Sequence, residues 1–199
     1  MRSTSYVALA VAACLILASG CDSDADAGAD ADNGGDRAAS VPITKKAIAA
    51  VLLEHLPPDP IERSGTPRSV ELTYWIDDSS AGNEEEVEVS ISGATGDPCA
   101  RMGDALTGCE VEKIDDGELT VYWQEEQPFE DPGILYLVMV REDDSVTLEY
   151  SGVLIESDPR EQEFVRFTFE DMVDAVTDPR LGLTTTQDAV DAGAELEWP

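Results

Sequence analysis

Nucleophilic, zinc-dependent and phosphate-binding enzymes each need a recognisable set of residues, and this chain offers little of any. Its single histidine, His55, is the one base available for serine or cysteine activation, and no G-x-S-x-G elbow accompanies it. His55 falls at the edge of an apolar helical stripe, in the last turn, where the helix dipole favours a protonated imidazole. A structural role is therefore expected over a catalytic base. The segment Gly103-Asp104-Ala105-Leu106-Thr107-Gly108 opens like a phosphate loop. Cys109 and Glu110 then stand where lysine and serine or threonine are needed, so phosphate would be repelled. One histidine and a bonded cysteine pair cannot assemble a zinc set. Paired carboxylates could run glycoside hydrolysis, but 43 acidic residues make any one pair uninformative.

Six carboxylates do stand out by position. Asp77-Asp78, Asp115-Asp116 and Asp143-Asp144 each fall in a turn, after the first, third and fifth expected strands. In an up-and-down meander alternate turns share one end of the sheet. The three pairs are therefore expected to crowd one rim, with the cysteine loop and residues 127–133 at the other. Such a rim would suit a hard cation such as calcium, or a basic protein patch. The plainer reading is turn preference and solubility.

The formal net charge is −31 at pH 7, most of it on residues 41–199. That excludes nucleic acid and anionic lipid headgroups as direct partners, since both would be repelled. A basic protein partner is compatible with it, as is adaptation to a salty exterior where the charge is screened.

The elements that position these groups follow from periodicity. Residues 22–40 (DSDADAGADADNGGDRAAS) lack a large apolar side chain and read as a flexible tether, long enough to span roughly 25 Å. A calcium-loop frame begun at Asp30 meets Gly34 at its fifth place and Val41 at its twelfth, where a glutamate is needed. Thr44 is placed to cap a helix running to about Leu56, with Ala47, Ile48, Val51, Leu52 and Leu56 on one stripe and Pro57-Pro58 as the stop. From Ser69 to Ile155 the period falls to two. Val70, Leu72, Tyr74 and Ile76 define the first strand, and Val87, Val89 and Ile91 the second. A hairpin over 109–114 and 118–124 turns at Asp115-Asp116-Gly117. Residues 134–141 are apolar on both faces and read as a central strand, and 146–155 complete six. Thr168 caps a second helix whose buried stripe is Phe169, Met172, Val173 and Val176, ending at Asp178-Pro179. Residues 183–199 read as a poorly ordered tail, with Trp198 the one residue there suited to docking.

The N-terminus gives an address. Arg2 precedes an uncharged run from Val7 to Leu17 and then small residues, the order of a secretory signal and too short to span a bilayer. Leu17-Ala18-Ser19-Gly20-Cys21 resembles the lipobox of bacterial lipoprotein precursors, although Ala18 stands where a larger aliphatic is more usual. The resemblance implies removal of residues 1–20, acylation of Cys21, and a chain held at the membrane by lipid on the extracytoplasmic side. The alternative is an ordinary secretory signal cut near Gly20. With Cys14 removed and Cys21 lipidated, Cys99 and Cys109 remain, and an exported pair ten positions apart reads as a disulfide.

The segment from Phe167 to Arg180, with its Thr-capped acidic start and its Thr-Asp-Pro-Arg close, is similar to the C-terminal helix of small actinobacterial-type lipoproteins of no established activity. That resemblance implies an N-terminal helix, a cysteine pair and Asp-rich hairpin turns. The expectation is a single α+β domain over residues 41–182, with two helices on a six-stranded, mostly antiparallel meander sheet and one disulfide. The expected role is a non-catalytic acidic binding module. A carboxylate-dependent hydrolase of envelope glycans and a purely structural envelope component are the alternatives.

Overall fold

The computed structural model describes residues 40–76, 84–94, 96–102, 106–126 and 132–198. The leader with Cys21, the tract 22–39, and Asp77 and Asp78 lie outside the described residues. The fold is α+β, with a large antiparallel sheet, four helices among the described residues and a Cys99–Cys109 disulfide.

A short strand β1 (Ser40–Pro42) leads into helix α1 (Lys45–His55). Thr44 caps α1 by accepting the Ala47 amide at 3.2 Å, as its sequence position implied. Strands β2 (Glu62–Thr66), β3 (Ser69–Trp75) and β4 (Glu84–Gly93) form a meander. Helix α2 (Pro98–Met102) then leads to β5 (Gly108–Ile114), β6 (Gly117–Gln124), β7 (Ile134–Val140) and β8 (Asp144–Ser151). Helix α3 (Phe169–Thr177) carries a full capping box between Thr168 and Asp171. Strand β9 (Thr184–Thr186) pairs with β1, and helix α4 (Gln187–Glu195) follows.

Two expectations are corrected by these elements. The main sheet has seven strands, because Glu62–Thr66 adds the edge strand β2. The stretch expected to be a loose tail forms β9 and α4 instead. Gly193 lets α4 approach α1 closely, since a β-carbon there would lie 2.6 Å from the Lys46 backbone. Lys46 Nζ also donates to the Leu196 carbonyl at 2.7 Å, and Lys45 lies over the Trp198 ring.

The strand order is β2-β3-β4-β8-β7-β6-β5. The meander therefore breaks between β4 and β5, and β4 pairs with β8. The cause is a crossing connection. Cys109 shares a face with Tyr122 and Tyr136, and its bond to Cys99 holds α2 over that side of the sheet.

On the opposite face the register builds continuous apolar rows. Val70, Val89, Leu148, Leu137 and Val121 lie side by side, as do Leu72, Val87, Tyr150, Leu135 and Trp123. These rows are buried, with α1 packed over β3 and α3 over β7 and β8. At about 25 cal/mol per Å² of apolar surface removed from water, they are the dominant stabilising term. Gly108 is required opposite Trp123, because a β-carbon at that position would meet the indole at 2.2 Å.

Candidate functional site

The apolar rows end on charge. The row through Leu148, Leu137 and Val121 terminates at Glu110, and the row Ile91, Val146, Met139, Leu119 terminates at Glu112. Both glutamates sit on β5, the last strand of the sheet. Helix α3 packs over β7 and β8, so the helix layer stops short of β5 and β6. What remains is a groove of about 1050 Å³.

Its floor is apolar, made by Leu119 and Val121 of β6, Phe164 of the loop before α3, and Phe169 and Val173 of α3. Its margins are acidic, made by Glu110 and Glu112 on one side and Glu163, Glu170 and Asp174 on the other. Glu170 and Asp174 lie one helical turn apart, which places both on the same side of α3. Arg160 is the lone cation lining the groove among the described residues. It is occupied by Asp158, whose Oδ1 accepts from Nε at 2.8 Å, and by Glu110. The Arg160 hydrogen bonds hold both the Glu110 and Asp158 carboxyls below their ordinary values. Glu112, Glu163, Glu170 and Asp174 form no ion pair among the described residues.

Of the three acidic pairs expected on one rim, two fall among the described residues, Asp77 and Asp78 lying outside them. Asp115-Asp116 and Asp143-Asp144 do share one end of the sheet, because β5 and β7 run in the same direction. The ends of β3 and β4 that flank Asp77 and Asp78, Trp75 and Glu84, lie at the opposite end. The inserted β8 reverses the order on which the three-pair rim depended. Asp144 is also turned inward, its side chain only 14% exposed. Its Oδ2 accepts the Leu183 amide at 2.9 Å, and Arg141 stands 3.5 Å from Oδ1. Among the described residues no group of three or more His, Cys, Asp or Glu is placed to hold a metal ion.

His55 lies in a structural network. Its Nε2 is 2.9 Å from Asp178 Oδ2, and Arg180 bridges Asp178 to Glu54. Burial pushes the Asp178 carboxyl up, but hydrogen bonds from Arg180 and His55 outweigh it and bring the pKa down to about 2. The pair clamps the end of α1 to the end of α3.

Among the described residues two carboxyls are raised, and neither lines the groove. Glu85 is fully buried on β4, where loss of water raises its pKa against the pull of Tyr150 and Arg166. Glu149 lies on the other face of the sheet, in a cross-strand row with Glu88 and Glu71. Burial raises it first, and the neighbouring Glu88 adds to the effect. Beside it Tyr136 stacks on Tyr122 at 4.6 Å, and burial with Glu149 nearby pushes its pKa up to about 12.

No protein-family profile, curated protein or solved structure matches this chain. No helix among the described residues is long and apolar enough to cross a membrane.

Proposed function

We propose that this chain is an extracytoplasmic lipoprotein, anchored through Cys21, whose domain is a non-catalytic module for a basic protein partner with an apolar face. The observation that carries the reading is the groove between β5 and α3, an apolar floor ringed by five acids and a single arginine that is already paired. Apolar contact supplies affinity in such a site, and complementary charge supplies steering and selectivity. The positions of Glu85 and Glu149 also support binding over hydrolysis, because the carboxyls with raised pKa stand outside the cleft.

The test is calorimetric titration of the full chain with a cationic amphipathic peptide and with its acidic counterpart of equal apolar content. The cationic peptide should bind, and binding should weaken with added salt. It should also weaken when Glu112, Glu170 and Asp174 are together changed to lysine. Equal binding of both peptides would overturn the reading. The anchor is tested separately by the intact mass of membrane-extracted protein, which should show acylated Cys21. Its loss in Cys21→Ser should release the chain from the membrane fraction.

A further inference from the structure

The groove runs beside a sheet edge. β5 pairs with β6 alone, leaving its outer edge without a strand among the described residues. Four consecutive residues of that strand, from Glu110 to Lys113, are exposed, Val111 to 51%. Exposed edges are templates for another strand, and proteins blunt them with charge, proline or brevity. The opposite edge is blunted in this way, since β2 has five residues, carries Gly65 at a φ of 148° and is followed at once by Pro67. β5 is longer and contains no proline.

The charge on β5 is selective in its effect. Glu110 and Glu112 alternate with Val111 and Lys113, so both acids sit on the groove side and Val111 on the other. If two copies paired antiparallel through β5, with the register centred on either Glu110 or Val111, glutamate would stand opposite glutamate, and directly opposed like charges destabilise a ladder. A strand carrying lysine or arginine at alternate positions would meet the same residues favourably, Glu112 directly and Glu110 beside the Arg160 that it already pairs with. Its interleaved apolar side chain would meet Val111.

We propose that β5 receives an extended segment of the partner protein, with basic residues at alternate positions facing Glu110 and Glu112 and an apolar residue between them, adding an eighth strand to the sheet. Main-chain hydrogen bonds provide the adhesion and side-chain alternation provides the register. The proposal rests on the reading of the groove as the site for a basic partner, and narrows it to a mode of binding.

The probe is a blocked heptapeptide alternating lysine and valine, mixed with the full chain. Two N-methylated versions accompany it, one methylated at the lysines and one at the valines, so that only one blocks the amides facing β5. An amphipathic helical peptide of the same charge is the comparison. The alternating peptide should bind and slow hydrogen exchange of β5 amides between 110 and 113. One N-methylated version should weaken by about tenfold or more while the other binds normally, given the usual worth of several backbone hydrogen bonds. Glu112→Lys should weaken binding severalfold.

If both N-methylated versions bind as well as the parent, or β5 exchange is unchanged on binding, the edge-strand proposal falls and the groove reading stands. The same holds if only the helical peptide binds. Failure of every cationic peptide overturns both. Slowed β5 exchange that depends on protein concentration alone would mean self-pairing and would also overturn the proposal.

Discussion

Tyr150 donates its hydroxyl to Oε2 of Glu85 across 2.7 Å, joining β8 to β4 inside the core. Arg166 approaches the other oxygen at 3.2 Å and also donates to the Trp75 carbonyl. Phe164 and Phe167 pack edge-on and tilted against the Tyr150 ring. A carboxyl in such surroundings loses its water and keeps few replacements. Tyr150→Phe should therefore cost about 1–3 kcal/mol, the usual penalty for removing one partner of a buried polar group. Urea unfolding at pH 7 reads the loss directly, and a cost near zero would mean that Glu85 is not held by this bond.

The same carboxyl sets a direction with pH. Its pKa is raised above the ordinary 4.5 in the folded protein, so folding favours its protonated form. The contribution to stability is fully present below about pH 4.5 and is lost as pH rises through the folded value. Glu85→Gln should flatten this part of the stability profile between pH 4.5 and 7. An unchanged slope would contradict the assignment.

Asp178 has the opposite sign. Its pKa falls from 3.8 to about 2 on folding, so its contribution is present above about pH 3.8 and is lost as pH falls through 2. The shift corresponds to about 2 kcal/mol. Asp178→Asn should cost about that much at pH 7 and little at pH 2, measured by denaturant unfolding at each pH.

Gly193→Ala tests the packing of α4 on α1. On an exposed helix the change would stabilise by up to about 1 kcal/mol. Here the new methyl would meet the Lys46 backbone, and overpacking of that kind costs about 1–3 kcal/mol. A lower thermal midpoint is expected. A higher one would mean that α4 is not docked as described.

Loss of the Cys99–Cys109 bond, by the double change to serine, should cost about 2–3 kcal/mol in the chain-entropy account of a short closed loop. The β4-to-β5 connection would lose its tie to the sheet, and reversible unfolding of the two proteins measures the difference.

What could be read from the chain was whatever repeats over a few residues. Thr44 and Thr168 announced two of the three capped helices among the described residues because a cap is a local bond, whereas the third such cap, Thr186 on α4, went unread. The alternation in 70–76 and 87–91 announced strands, and the turn at Asp115-Asp116-Gly117 announced the hairpin that includes 118–124, although β6 is buried on both faces from Leu119 to Trp123. β2 escaped because Glu62–Thr66, an edge strand, has no apolar alternation to betray it. α4 escaped because its buried residues are Ala189 and Gly193, whose small size lets two helices meet closely while adding little hydrophobic signal. That i, i+4 pair of small residues was the available clue. The strand order was illegible for a different reason. Pairing of β4 with β8 places β5 at the far edge of the sheet from β3, and no periodicity encodes that order. The groove was hidden in turn, because Leu119 and Val121 read as ordinary core and only the register reveals that their rows end at Glu112 and Glu110.

The β4–β8 seam also fixes when this domain can come into being. β4 is complete at Gly93, but its neighbour is not finished until Ser151. A chain emerging N-terminus first holds Val87, Val89 and Ile91 paired on the β3 side alone, without β8, for nearly sixty residues of further synthesis. Ladders between such distant segments form slowly, because a long loop must close before any contact rewards it. The N-terminal half is thereby kept from locking early, and the order of the strands itself sets the delay.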